Sequence, residues 1–132
     1  MNKIISAEQA AEFIKDGSTL MVGGFMTNGT PLNLIDAIVK KGVKNLTVIC
    51  NDAGTPGKGS GKLLANKQIK KLIASHVGLN PDVAAAMNAN EIEVELIPQG
   101  TLAERIRIAG AGIGGFLTPT GIGTDVEQGK EK

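Results

Sequence analysis

Asp16-Gly-Ser-Thr-Leu-Met-Val-Gly-Gly-Phe-Met-Thr-Asn-Gly-Thr-Pro31 reads as a strand, a glycine turn and a helix start, in that order. A short apolar run, Leu20 to Val22, meets Gly23-Gly24. A polar loop follows, and Thr30-Pro31 predicts an N-cap with Pro at the first helical position. A parallel strand ending in this way leaves its carboxyl edge open, where ligands of open α/β sheets collect. Gly23 and Gly24 have no Cβ, so a ligand can come close to their N–H groups. The helix beginning near Pro31 adds unpaired donors and the positive end of a dipole, which suit an anionic group. Two glycines after a strand also make an ordinary tight turn, and the stretch alone does not separate the two readings.

The flanking sequence supports the strand–helix alternation. Ser6-Ala-Glu-Gln9 is a capping box that opens a helix over 6–16, with Ala10, Phe13 and Ile14 at helical spacing and Gly17 as its stop. Beyond the strand at 19–23, Leu32, Leu34, Ile35, Ile38 and Val39 form an apolar stripe over 31–41, closed by Lys40-Lys41-Gly42. Leu46 to Cys50 is a β-branched, apolar run suited to a buried parallel strand. It ends at Asn51-Asp52-Ala53-Gly54, a second polar carboxyl edge, where Asn51 could be a simple turn residue. Cys50, inside the strand with no base nearby in sequence, reads as a buried apolar filler.

Gly54 to Lys62 resembles a phosphate-binding P-loop but fails its spacing, since Pro56 and Leu63 occupy a required glycine and hydroxyl position. It is read as a flexible loop, a candidate cover for a ligand, running into a short helix at 61–66. A strand over 70–77 and a helix from the Asn80-Pro81 cap through Met87 follow. His76, the only histidine, has no ligand-spaced partner and is read as structural, and no metal site is expected. Glu91-Ile-Glu-Val-Glu95-Leu-Ile-Pro98 alternates strictly, which predicts an edge strand with a solvated acidic face. It delivers Gln99-Gly100 to its end, ahead of a helix from Thr101 to Ile108.

Composition narrows the function classes. A length of 132 residues suits one domain, and a formal net charge of +1 with three Phe and no Tyr or Trp gives no basis for nucleic-acid binding. The single Cys50 excludes an internal disulfide, and with Met1 leading directly into polar sequence neither a secretory signal nor a membrane span is expected. The expectation is a cytoplasmic α/β protein with an open, mainly parallel sheet and helices on both faces. Its partners are expected to be small molecules, not nucleic acid or membrane. Gly110-Ala-Gly-Ile-Gly-Gly115 has the glycine spacing of dinucleotide sites, but it follows a helix, which is the wrong context.

Asp16-Gly17, the apolar triplet, Gly23-Gly24-Phe25 and Gly29-Thr30-Pro31 together resemble the first signature of the family I coenzyme A transferases. The segment from Pro98-Gln-Gly-Thr-Leu102 through Gly110-Ala-Gly-Ile-Gly-Gly-Phe-Leu-Thr-Pro-Thr-Gly-Ile-Gly-Thr124 resembles their α chains, especially the acetate/acetoacetate branch. The resemblance implies a CoA site at Gly23, Gly24, Phe25, Met26, Thr27, Asn28 and Gly29, and substrate contacts from Asn51, Gln99 and Gly100. It implies CoA as a co-substrate, with no permanently bound cofactor. It further implies transfer of CoA between a short-chain acyl-CoA and a carboxylate such as acetate, acetoacetate or butyrate. In that scheme a glutamate forms a mixed anhydride and then a glutamyl thioester.

The family's glutamate lies in a second signature, Ser-Glu-Asn-Gly, carried by the β part, and that signature is not present in this sequence. No catalytic residue is therefore expected on this chain, and activity is expected only in a hetero-oligomer with a β subunit. Residues 1–124 are read as the N-terminal part of the α domain and 125–132 as a polar tail; by resemblance the α chains run on well beyond it. The competing readings are a noncatalytic module that binds CoA esters and a sugar-phosphate isomerase, which fold alone does not separate from a transferase.

Overall fold

A computed structural model describes residues 3–130, which divide between Leu96 and Ile97 into two compact units. The expected boundary at Thr124 falls inside the second unit. The first unit alternates helix α1 (Ala7–Ala11), strand β1 (Thr19–Val22), α2 (Leu32–Lys41), β2 (Leu46–Cys50), α3 (Ser60–Ala65), β3 (Ile69–Ala74), α4 (Pro81–Asn88) and β4 (Glu93–Leu96). Its strands form one parallel sheet in the order β1-β2-β3-β4.

Strand alternation divides the side chains between the two faces of the sheet. Leu20, Val48, Leu72 and Val94 lie in one register row, and Val22, Cys50, Ala74 and Leu96 in another on the same face. All but Leu96 join one apolar cluster with Ala11 of α1, Ile35 and Ile38 of α2, Leu63 of α3 and Val83 of α4. Fully burying side chains such as Val48, Leu63 and Leu72 contributes roughly 1.5–3 kcal/mol each. The intervening rows, Thr19-Thr47-Lys71-Glu93 and Met21-Ile49-Ile73-Glu95, face the other way.

The open parallel α/β sheet is as the sequence leads one to expect. The helices of this unit, however, share the core of a single face. Strands added in sequential order by right-handed crossovers always step in the same direction, so every crossover lands on the same side.

Local signals explain most boundaries. Ser6 and Gln9 form the reciprocal capping box, but α1 stops at Ala11 because Phe13 and Ile14 take tighter three-residue bonds to Ala10 and Ala11. Phe13 accordingly lies outside the core and is exposed. Helix α2 ends as expected at Gly42, left-handed at φ 76°, whose N–H reaches the Ile38 carbonyl. Lys41 at that end donates to the Ala11 carbonyl and pairs with Glu12, tying α1 to α2. At the other end of α2 the cap is Pro31, without a side-chain bond, and the Thr30 hydroxyl lies against Gly24. Asn80 caps α4 as expected, accepting from the Asp82 N–H at 3.1 Å.

On edge strand β4 the acidic side chains are not simply solvated: Lys71 bridges Glu93 and Glu95 at 2.7 and 3.1 Å, and their hydrogen bonds raise its pKa. Glu91 pairs with Lys67.

In the second unit α5 spans Gln99–Gly110, and Thr124 caps a 3-10 turn at Asp125–Glu127. The stretch read as a tail thus begins with an ordered turn, because Glu127 accepts from the Gly123 N–H. Helix α5 begins at Gln99, two residues earlier than expected, with the Pro98 carbonyl accepting from Leu102. The Gly-x-Gly-x-x-Gly stretch lies at the end of this helix and its first turn beyond.

Candidate functional site

Two loops leave the carboxyl edge of the first unit's sheet side by side, one after β1 and one after β2. The first, Gly23 to Thr30, closes on itself through the pair Phe25 N–H to Asn28 carbonyl and Asn28 N–H to Phe25 carbonyl, at 3.1 and 3.0 Å. Gly24 at φ 110° and Gly29 at φ 77° supply conformations that L side chains resist, and Met26 adopts φ 59° despite having one. Phe25 and Met26 are exposed on the loop.

The glycines at the start of this loop differ sharply. A Cβ built on Gly24 would lie 2.8 Å from the Thr30 nitrogen and 2.9 Å from the Asn28 oxygen, so the fold itself requires glycine there. A Cβ built on Gly23 meets nothing within 4 Å, so that position is open to a ligand. Donor accounting narrows the loop further. The N–H groups of Phe25, Met26, Asn28 and Thr30 are bonded within the protein, which leaves those of Gly23, Gly24, Thr27 and Gly29 as candidates for a bound group.

The end of β2 holds this loop in place. Asn51, half-buried, donates its side-chain amide to the Gly24 carbonyl at 2.9 Å. Its own carbonyl accepts from the N–H groups of Ser75 and His76 and from the Ser75 hydroxyl, drawing the end of β3 to the same place. Next to it the buried Asp52 accepts from the Met26 N–H at 2.5 Å and from the Gly54 N–H at 2.7 Å. Asp52 was not among the residues singled out from sequence. Only its bond to Gly54, a two-residue Asx turn, is of a kind that sequence discloses. Its bond to Met26 spans 26 residues of chain.

The second loop is not the flexible cover expected. Gly54, Gly59 and Ser60 are buried, and a Cβ on Gly59 would sit 3.6 Å from the Met26 oxygen and from methyls of Thr27 and Thr30. It packs beneath the first loop. Asn80, fully buried, secures it by donating to the Ala53 carbonyl at 3.2 Å. Cys50 is buried as expected: desolvation, with a smaller push from Asp52, raises its thiol to about 12, so it does not serve as a nucleophile near neutral pH. His76 is exposed at the end of β3. Among the described residues no cluster of His, Cys, Asp or Glu could hold a metal ion, and no helix is long and apolar enough to cross a membrane.

Gln99 and Gly100 form the first turn of α5 in the second unit, both exposed at their side of that helix. This unit carries its own cleft of about 1150 Å³, lined by Thr101, Arg105, Phe116, Thr118 and Lys130 among others.

Ligands of open α/β sheets bind at the carboxyl ends of the strands, and Gly23 leaves the backbone uncovered at this one. Residues 4–132 match the family model for coenzyme A transferase, and the chain belongs to that family. It is 56% identical over 131 residues to an acetoacetyl-CoA:acetate/butyrate CoA transferase alpha subunit of Clostridium acetobutylicum, covering 99% of this chain and 60% of that one. It is 50% identical over 129 residues to an acetate CoA-transferase subunit alpha of Escherichia coli K12, covering 98% and 59%. Its fold superposes with TM-score 0.79 and 28% identity on an acyl-CoA transferase of E. coli O157:H7 solved as a thioester complex with CoA, covering 92% of this chain and 25% of that one. The chain thus spans about three-fifths of the length of the two subunits.

Proposed function

We propose that this chain acts as the α component of a coenzyme A transferase, moving CoA between a short-chain acyl-CoA and a carboxylate such as acetate, acetoacetate or butyrate. The observation that carries the reading is the open backbone at Gly23, beside a loop fixed by Asn51 and Asp52, in a chain of the transferase family. In this reading Gly23 to Gly29 receive the CoA ester. Asn51, Gln99 and Gly100 contact the acyl group or the carboxylate, and a β chain in the cytoplasmic hetero-oligomer supplies the glutamate nucleophile.

Attack on the thioester creates an oxyanion, which preorganised N–H groups can stabilise by about 3–4 kcal/mol for each well-placed donor. Gly23 and Gly24 are the candidates for that work. The negative charge of a carboxylate or phosphate is also favoured near the first turn of α2, which carries no acidic side chain. Splitting the exchange into anhydride and thioester steps replaces one difficult transfer by easier ones. No permanent cofactor is required, because CoA enters and leaves as a co-substrate.

The test is CoA exchange between acetyl-CoA and acetoacetate or butyrate, measured for the α chain alone, the β chain alone and the two co-expressed. Exchange only in the pair supports the reading. A correctly assembled pair without exchange overturns it.

A further inference from the structure

We infer that Asp52 is a positioning residue for the CoA-binding loop, fixing the backbone around Gly23 and Gly24 without touching the ligand; the inference rests on the function just proposed. Asp52 is a buried carboxylate at the point where β2 ends. One oxygen takes the Gly54 N–H and so belongs to its own turn. The other crosses to the first loop and takes the Met26 N–H at 2.5 Å. Met26 is the loop's non-glycine residue in the left-handed region, at φ 59°, a conformation its side chain disfavours and which something outside the loop must hold.

Asn51 grips the same loop with opposite polarity, donating to the Gly24 carbonyl at 2.9 Å. Two successive residues thus clamp the loop at two points, one accepting and one donating. A clamp of this kind anchors the two consecutive peptide planes Gly24–Phe25 and Phe25–Met26. A charge-assisted bond to a backbone N–H is stronger than a neutral one, so the carboxylate is the firmer of the two holds. With Asp52 bonded to Met26 and Asn51 to Gly24, the loop is held directly after the open position at Gly23.

A loop that positions the CoA ester and not the carboxylate acceptor makes a selective prediction for the assembled α/β enzyme. Asp52→Ala is expected to raise the KM for acyl-CoA about tenfold and to leave the KM for the carboxylate within about twofold, as loss of one charge-assisted bond implies. Asp52→Asn retains one acceptor oxygen and is expected to fall between wild type and Asp52→Ala; it carries the test if the alanine variant does not assemble. Amide hydrogen exchange at Met26 is expected to quicken in the same order. Selective loss of acyl-CoA affinity together with faster exchange supports the inference. Equal movement of both KM values, or an unmoved KM for acyl-CoA, overturns it. Gly23→Val serves as the reference. If it raises the KM for acyl-CoA while Asp52→Ala does not, only the positioning role fails; if Gly23→Val leaves that KM unchanged, the CoA-loop reading itself fails.

Discussion

The loops after β1 and β2 are built to one plan and used in opposite ways. Gly24-Phe-Met-Thr-Asn-Gly-Thr30 and Gly54-Thr-Pro-Gly-Lys-Gly-Ser60 both place glycine, four residues, glycine and a hydroxyl residue after a parallel strand. Each closes by an antiparallel bridge, Phe25 with Asn28 and Thr55 with Lys58, and every glycine of the two quoted stretches is at positive φ. The first exposes its apolar residues and leaves the preceding Gly23 open. The second buries Gly54 and Gly59, the latter against the first loop. The same backbone device therefore makes a surface in one place and its foundation in the other, and burial, not motif, tells them apart.

The largest effect is expected from damaging the foundation. A Cβ at Gly54 would lie 2.5 Å from the Lys58 oxygen and 3.2 Å from the nitrogens of Ser60 and Gly61, with φ at 67°. Both the clash and the conformation oppose a β-branched residue, so Gly54→Val should cost roughly 3 kcal/mol or more. Denaturant unfolding of the α chain checks this, and a loss below about 1 kcal/mol would show that the second loop yields more easily than its packing implies.

The matching change at the surface should separate stability from activity. Gly23→Val introduces a side chain into open space, so stability should stay within about 0.5 kcal/mol of wild type. If the donors at this entry face the reacting thioester, CoA exchange in the assembled enzyme should fall by about a hundredfold or more. Gly24→Val is the poorer probe because it strikes the loop's own backbone. Retained exchange in Gly23→Val would remove the contrast between the loops.

The difference between these loops was only partly legible in the sequence. Strands, capping box, the Gly42 stop and the glycine loop at the β1 edge follow from local chemistry, which periodicity and caps report directly. The four-strand parallel order is consistent with the same alternation of strand and helix. What escaped depends on contacts between distant segments. The burial of Gly59 against Thr27 and Thr30, the reach of Asp52 to Met26, and the exposure of Phe13 all have no counterpart in spacing. A glycine-rich run states that the backbone can turn tightly, but not whether water or protein lies beyond it.

A smaller effect comes from the strand that carries both clamp residues. Burial raises the Cys50 thiol from an ordinary value of 9.0 to about 12. Folded protein then keeps its proton where the unfolded chain has lost it. The stabilising contribution is complete below about pH 9 and is lost as pH rises toward 12. Comparing wild type with Cys50→Ala across that range isolates the thiol from the titrating lysines. The stability advantage of wild type should shrink with rising pH, and a constant advantage would show that the thiol does not titrate differently in the two states.

The smallest expected effect joins the two helices that follow the two loops. Lys62 on α3 meets Asp36 on α2 at 2.5 Å, but the side chains remain 38% and 52% exposed. Water screens such a pair and ordering two side chains costs entropy, so Asp36→Asn should cost no more than about 0.5 kcal/mol. The buried contacts between the loops, which salt does not screen, carry the alignment instead. Stability of Asp36→Asn should accordingly follow wild type closely at both low and high salt. A loss well above 1 kcal/mol at low salt that vanishes at high salt would shift the weight from packing to charge in holding the two loops together.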